Sequence, residues 1–72
     1  MILVTGGCGF IGSAVVQKLL SFEESVVNVD LMTYAANAEN LRGFTNKKNY
    51  HFEMCDIRNI NHVMEVFEKY KP

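Results

Sequence analysis

Five segments of the chain carry hydrophobic patterns that predict strands or helices. Apolar residues run through Ile2–Val4 and through the β-branched segment Ser25–Leu31, and each run predicts a short buried strand. Apolar and polar residues alternate over Tyr50–Cys55, which predicts a third strand. Apolar residues recur at steps of three and four over Phe10–Ser21 and over Ile60–Tyr70, which predicts two amphipathic helices.

Polar residues dominate the segment between the second and third predicted strands. From Met32 to Asn49 only Ala35–Leu41 has the pattern of a short helix, and Asn59 stands where the last helix needs an N-cap. Strands that alternate with helical segments predict a parallel three-stranded sheet with right-handed crossovers, in the order 3-2-1. The predicted fold class is α/β, a partial Rossmann fold with the order βαβαβα.

The first strand lies at an edge of this predicted sheet. In a complete doubly wound fold a fourth strand pairs with the first, and the sequence contains no candidate for it. Because an uncovered apolar edge pairs with other strands, we expect a second polypeptide, or self-association, at this edge.

Composition and charge exclude several classes of protein. The 72 residues are 49% hydrophobic and 21% charged, with a net charge of -1, as in ordinary globular domains. This balance gives no reason to expect nucleic acid or a membrane surface as partner. No apolar run approaches the roughly 18 residues of a membrane-spanning helix, and the basic start of a secretory signal is absent. We therefore expect a cytoplasmic protein.

A glycine motif joins the first predicted strand to the first predicted helix. Gly6 suits the tight turn, Gly9 lets the backbone approach a pyrophosphate, and Gly12 lets the helix pack closely on the sheet. The free N–H groups near Phe10 and Ile11 then face the phosphates. A glycine-rich turn that only connects strand to helix remains open if the motif is taken alone.

Asp30 supports the nucleotide interpretation. Its carboxylate ends the second predicted strand, where it can accept hydrogen bonds from ribose hydroxyls and repel the 2'-phosphate of NADP. The predicted cofactor is therefore NAD, with Arg42 as the one nearby cation that could reverse the preference. The alternative role for Asp30 is that of a turn-forming residue after a strand.

Asp56 and Ile57 follow the third predicted strand and reach the same edge of the sheet. They are candidates for an adenine contact, and the start of the last helix is an equally good explanation of Asp56. Cys8 and Cys55 follow strands that are roughly 10 Å apart in the predicted sheet, beyond the reach of a disulfide. Cys8 is interpreted as a small loop side chain and Cys55 as a half-buried thiol.

No metal site is predicted either. The two cysteines, His51 and His62 provide no closely spaced pair of ligands. The two histidines are interpreted as surface residues.

Together these motifs resemble the extended short-chain dehydrogenase/reductase family. The resemblance covers essentially the whole chain and rests on Thr5-Gly6-Gly7-Cys8-Gly9-Phe10-Ile11-Gly12, Asp30, Thr33-Tyr34-Ala35-Ala36-Asn37 and Asp56-Ile57. The stretch from Thr33 to Asn37 points to the sugar-nucleotide dehydratases of that family. The resemblance assigns cofactor contacts as follows: pyrophosphate to Gly6, Gly9, Phe10, Ile11 and Gly12; ribose to Asp30 and Thr33; adenine to Asp56 and Ile57; and the rim to Leu31 and Asn37.

The resemblance also implies a reaction, and it implies that residues needed for that reaction lie outside this segment. The implied dehydratases use NAD to oxidise C4 of a dTDP-sugar, eliminate water across C5 and C6, and return the hydride to C6. Their Tyr-x-x-x-Lys pair lies downstream, and Tyr34 is no substitute because Ala38 stands four positions on. Residues 1–72 are therefore expected to be the N-terminal part of an NAD-binding domain, inactive alone and without catalytic residues. A stand-alone or split-gene binding module and the N-terminus of a UDP-sugar epimerase or decarboxylase remain alternatives.

Overall fold

The computed structural model describes residues 1–31, 43, 44 and 46–72. Its elements in chain order are β1 (Ile2–Thr5), α1 (Phe10–Ser21), β2 (Val26–Asp30), β3 (Tyr50–Met54) and α2 (Ile60–Tyr70). Both predicted amphipathic helices are confirmed with the predicted ends. Each predicted strand is confirmed, and no strand end differs from the prediction by more than one residue. The helix predicted over Ala35–Leu41 lies outside the described residues.

The three strands form one parallel sheet with β2 in the centre. Ile2 pairs with Val26 and Val26 with Tyr50, and the register continues residue by residue. The order β1-β2-β3 confirms the predicted order and the α/β class. Within the described ranges β1 pairs with β2 alone, so its outer edge has no neighbour there.

The two helices pack on opposite faces of the sheet because successive strand side chains point to opposite sides. On one face Val16 and Leu20 of α1 pack against Val26 and Phe44. On the other face Val66 of α2 forms a buried cluster with Val27, Val29 and Cys55, and Leu3, Val63 and Tyr70 pack against that cluster. The sheet is thus the middle layer of three.

Every residue of β2 is buried, which is expected for a central parallel strand covered on both faces. Such strands normally consist of apolar residues, yet Asn28 and Asp30 are only 0% and 8% exposed. Both point to the α1 face, since they alternate with Val27 and Val29. Two buried polar side chains therefore lie beneath the loop between β1 and α1.

Candidate functional site

The loop between β1 and α1 turns sharply at Gly6. Gly6 has φ +69°, a region that residues with a side chain adopt at a cost, and its N–H donates to the carbonyl of Val29 at 2.9 Å. The N–H of Gly9 then donates back to the carbonyl of Gly6 at 3.1 Å. The predicted tight turn is confirmed, and it directs the chain into α1.

The glycines at positions 9 and 12 have different surroundings. A Cβ on Gly12 would overlap the carbonyl oxygen of Gly6, so α1 approaches the loop too closely for any side chain. The predicted packing role of Gly12 is therefore confirmed. A Cβ on Gly9 would lie 3.4 Å from that same oxygen, close to an ordinary contact. Packing within the protein therefore requires a glycine at position 9 much less strictly than at position 12.

The first turn of α1 presents backbone N–H groups at this loop. Gly9 is the N-cap and provides no side-chain cap, while its carbonyl accepts the N–H of Ser13 at 2.9 Å. Helix geometry leaves the N–H groups of Phe10, Ile11 and Gly12 without an intrahelical acceptor. The helix dipole adds positive potential at the same point. This end of α1 can therefore hold an anion such as a phosphate.

The side chains of Phe10 and Ile11 lie at the surface, 84% and 77% exposed. They pack little against the protein, so their place in the predicted site depends on their backbone N–H groups. Ser13 is buried below them and its hydroxyl donates to the carbonyl of Phe10 at 3.0 Å. This bond ties the first turn of α1 together.

Asp30 lies at the C-terminal end of β2, next to the glycine loop. Its Oδ2 accepts the backbone N–H of Cys8 at 2.8 Å. The carboxylate therefore orders the loop between β1 and α1. It also lies at the position where a ribose contact was predicted. This second role was missed by the sequence analysis, which considered only a ligand contact or a local turn.

Asn28 was not among the predicted site residues. A polar residue within a buried strand was the signal that could have identified it, because such a side chain needs hydrogen-bond partners. Its Oδ1 accepts the N–H of Gly7 at 2.9 Å, and its Nδ2 donates to the hydroxyl of Tyr50 at 3.1 Å. A weaker contact joins Nδ2 to the Sγ of Cys8 at 3.4 Å. Burial raises the pKa of both the Cys8 thiol and the Tyr50 phenol. Both groups therefore stay protonated at neutral pH.

A cleft of about 490 Å³ opens at the C-terminal ends of the three strands. This is the edge at which open α/β sheets bind ligands. Five predicted site residues line it, namely Gly6, Asp30, Leu31, Asp56 and Ile57, together with Thr5, Val29, Cys55 and Arg58. Gly9, Phe10, Ile11 and Gly12 lie on the adjoining loop and helix end. Thr33, Asn37 and Arg42 lie outside the described residues.

Asp56 is held by Arg58 in the turn before α2. The guanidinium donates to both carboxylate oxygens, with Nη2 to Oδ2 at 2.7 Å, and the backbone N–H of Arg58 donates to Oδ1 at 2.9 Å. The Arg58 side chain lowers the pKa of Asp56 to about 2. Asp56 thus orders this turn, while the N-cap of α2 is Asn59, whose side chain accepts the N–H of His62.

The burial of the cysteines and histidines shows which of their predicted environments are correct. Cys8 and Cys55 are both buried, 0% and 2% exposed, and neither forms a disulfide, so the interpretation of Cys55 as half-buried was wrong. His51 and His62 are partly buried rather than fully at the surface, and the His51 ring lies 5.5 Å from that of Tyr70. In the described ranges, no three His, Cys, Asp or Glu side chains could share a metal ion. No helix among the described elements is long and apolar enough to cross a membrane.

This chain is similar to known proteins both in sequence and in structure. Residues 3–72 match the family model described as GDP-mannose 4,6 dehydratase. The dTDP-glucose 4,6-dehydratase of Haemophilus influenzae is 47% identical over 72 residues, which are 99% of this chain and 21% of that protein. The dTDP-glucose 4,6-dehydratase 1 of Escherichia coli K12 is 46% identical over 99% of this chain and 20% of its own length. This chain spans about a fifth of these curated relatives.

Solved structures have the same fold. The dTDP-glucose 4,6-dehydratase of Bacillus anthracis, in complex with NAD, matches with a TM-score of 0.91 and 38% identity over 97% of this chain and 23% of that chain. The UDP-glucose 4-epimerase of Thermotoga maritima, with UDP-glucose, matches with a TM-score of 0.83 and 37% identity over 99% of this chain and 21% of that chain. These relatives confirm the resemblance to extended short-chain dehydrogenases/reductases. The chain belongs to the GDP-mannose 4,6 dehydratase family.

Proposed function

We propose that this chain forms the N-terminal part of the NAD-binding domain of a dTDP-glucose 4,6-dehydratase. The observation that carries the proposal is the arrangement at one sheet edge. Free N–H groups of Phe10, Ile11 and Gly12 adjoin a cleft whose wall contains the carboxylate of Asp30. The helix end can bind the pyrophosphate of a dinucleotide, and the carboxylate beside it can bind the hydroxyls of its adenosine ribose.

The pyrophosphate and the adenosine half of NAD each have a proposed counterpart at this edge of the sheet. The pyrophosphate lies on the first turn of α1, where Gly9 leaves the backbone open to it. The adenosine ribose lies at Asp30, and the adenine lies against Ile57, which is 62% exposed at the cleft wall. Leu31 borders the same opening. Thr33 and Asn37 remain proposed contacts from the resemblance alone.

In this function the chain binds and orients a cofactor and carries no reacting group. NAD supplies a reversible hydride acceptor for the sugar when it is bound. The Asp30 carboxylate disfavours a 2'-phosphate, which makes NAD rather than NADP the proposed cofactor. The dTDP-sugar and the catalytic residues belong to the rest of a complete enzyme, so the chain alone is inactive.

The first test of this proposal is an amide spectrum of the 72-residue chain, recorded with and without NAD. We expect shifts at Gly9, Phe10, Ile11 and Asp30, because these amides lie at the proposed pyrophosphate and ribose positions. A folded chain with no shift at saturating NAD would contradict cofactor binding. Thermal stability gives a second readout, since a ligand that binds only the folded state raises the midpoint of unfolding.

A graft tests the dehydratase assignment against the epimerase alternative, which the Thermotoga maritima structure at 37% identity favours. The chain would replace the matching fifth of the Escherichia coli dehydratase and, separately, of the Thermotoga maritima epimerase. We expect the dehydratase graft to retain the greater share of its parent's activity. Greater retention by the epimerase graft would contradict the dehydratase assignment. The same graft with Asp30→Ala provides the control for cofactor binding.

The outer edge of β1 is the proposed contact with further polypeptide. Next to it lies an apolar cleft of about 190 Å³ lined by Leu3, Thr5, Val29, Ile57, Val63, Val66 and Phe67. An open apolar strand edge favours pairing with another strand. Sedimentation of the chain over a range of concentrations tests this, with association expected. A monomer at every concentration would contradict self-association.

A cytoplasmic location is part of the same proposal. Neither Cys8 nor Cys55 forms a disulfide, and cysteines without disulfides are usual in proteins of reducing compartments. Fractionation of cells that express the tagged chain checks this location, and recovery outside the cytoplasm would contradict it.

A further inference from the structure

Asn28 is the most deeply buried polar side chain of the sheet. It is 0% exposed and lies between Val27 and Val29 on β2. An amide in such a place is costly unless its hydrogen bonds are satisfied. Asn28 is satisfied by three groups, the N–H of Gly7, the hydroxyl of Tyr50 and the thiol of Cys8. Two of the three belong to the glycine loop.

The contact with Gly7 leaves no space for a side chain on that residue. A Cβ at position 7 would overlap Oδ1 of Asn28 and lie 2.5 Å from its Cγ and 2.9 Å from its Nδ2. These are side-chain atoms of a residue that is itself enclosed by the core, so they cannot move aside cheaply. Gly7 does not line the cleft at the strand ends. The requirement for glycine at position 7 therefore comes from Asn28.

Asn28 acts next to Asp30 on the same face of β2. Asn28 accepts the N–H of Gly7 at 2.9 Å and Asp30 accepts the N–H of Cys8 at 2.8 Å. Two consecutive loop amides are thus held from the sheet below. The N–H groups of Phe10, Ile11 and Gly12, which follow in the chain, remain available to a ligand. A loop held in its bound shape before the ligand arrives loses less conformational freedom on binding.

We propose that Asn28 is a positioning residue that sets the shape of the glycine loop for nucleotide binding, and that Gly7 is a glycine because of Asn28. The second statement is independent of any ligand. The first rests on the proposed function, because it assumes that the loop binds a nucleotide. The two are tested by different measurements, so failure of one is distinguishable from failure of the other.

A double-mutant cycle tests the pairing of Gly7 with Asn28 without any ligand. We expect Gly7→Ala to raise the unfolding equilibrium constant of the chain by about tenfold or more, and by about twofold or less when Asn28→Ala is also present. Removal of the Asn28 side chain opens the space that the new methyl group needs. Equal effects of Gly7→Ala in both backgrounds would overturn the proposal.

Gly9→Ala is the matched control for this cycle, because it adds the same methyl group to the same loop. Its Cβ would approach only the carbonyl oxygen of Gly6, at 3.4 Å. We expect its effect on unfolding to be small, and to be the same in the parent chain and in the Asn28→Ala variant. Coupling of Gly9→Ala to Asn28 as strong as that of Gly7→Ala would overturn a specific pairing.

Hydrogen exchange in the unchanged protein gives a test that needs no variant to fold. The Gly7 amide is buried against Asn28, whereas those of Phe10 and Ile11 belong to the open first turn of α1. We therefore expect the Gly7 amide to exchange about tenfold or more slowly than these two. Equal exchange rates would overturn the role of Asn28.

Nucleotide affinity tests the positioning role itself. In Asn28→Ala, with a dispersed spectrum that establishes folding, we expect the NAD dissociation constant to rise about tenfold and the Gly7 amide resonance to move. Tyr50→Phe removes only one acceptor of the Nδ2 group and leaves the bond to Gly7, so its effect should be several times smaller. If Asn28→Ala binds NAD as tightly as the parent chain does, the positioning role of Asn28 is overturned. If the parent chain itself does not bind NAD, only the proposed function is overturned.

Discussion

The carbonyl oxygen of Gly6 occupies the space that a side chain on Gly12 would need. Gly6 begins the turn after β1 and Gly12 lies in the first turn of α1, so this contact fixes how closely the helix approaches the loop. The same approach brings the first N–H groups of α1 beside the cleft at the strand ends. The geometry of the candidate site therefore depends on a backbone contact between two glycines.

Gly12→Ala is expected to destabilise the fold by about 1 to 3 kcal/mol, the usual cost of forcing a methyl group into a packed site. Its Cβ would meet backbone atoms, including the carbonyl carbon of Gly6 at 2.8 Å. Urea unfolding followed by circular dichroism measures the change. Gly9→Ala, whose Cβ would meet no atom closer than 3.4 Å, serves as the control, and equal losses in the two variants would contradict the packing argument.

Asp30→Asn is expected to weaken the discrimination between NAD and NADP. The amide keeps an oxygen that can accept the N–H of Cys8, which the carboxylate holds at 2.8 Å, and removes the negative charge. Two unit charges about 4 Å apart repel by about 1 kcal/mol in water and by more near a protein surface. We therefore expect the ratio of NAD affinity to NADP affinity to fall by about tenfold.

Titration calorimetry with both dinucleotides measures this ratio. Glu53→Gln makes the same change of charge on β3, where the carboxylate bonds Lys69 and Tyr70 away from the cleft. It should leave the ratio unchanged. An unaltered ratio in Asp30→Asn would indicate that this carboxylate does not face the ribose.

The pair formed by Asp56 and Arg58 is expected to make stability depend on acid pH. Arg58 lowers the pKa of Asp56 from its ordinary 3.8 to about 2. Because the folded pKa is the lower one, the pair stabilises the fold above the ordinary pKa. That contribution is lost as pH falls from about 4 to about 2. The pair is exposed to solvent, so salt should reduce the effect.

Arg58→Met removes the guanidinium and keeps an unbranched side chain. We expect the pKa of Asp56 to rise towards 3.8 and the midpoint of thermal unfolding to become less sensitive to pH over the same range. A carboxyl-detected NMR titration of Asp56 measures the first change directly. An identical titration curve in the variant would show that Arg58 does not hold this carboxylate.

Glu23 follows α1 with φ +63°, in the left-handed region that favours glycine. Its N–H donates to the carbonyl of Leu20 at 3.0 Å and ends the helix. Glu23→Gly is therefore expected to stabilise the chain by about 1 kcal/mol, since a side chain in this region costs about that much. Glu24→Gly is the matched control and should destabilise instead, because the backbone there is not in the left-handed region. A loss of stability in Glu23→Gly would contradict the argument.

Local patterns in the sequence were sufficient for the helices and the fold class. The predicted helices begin and end at Phe10, Ser21, Ile60 and Tyr70 as observed, because helix periodicity and the Asn59 cap are properties of neighbouring residues. Parallel order followed from the alternation of strands and helices. Strand ends shifted by one residue, since pairing with another strand decides where each strand ends.

The sequence by itself also determined the place of the candidate site, because the glycine spacing and the aspartate after β2 have a chemical meaning wherever they occur together. Only the tertiary structure decided how that site is held. The role of Asn28 under Gly7, the second role of Asp30 at Cys8 and the overlap of Gly12 with Gly6 all join residues on different elements. Such contacts depend on distances across the fold, and the order of residues along the chain does not contain them.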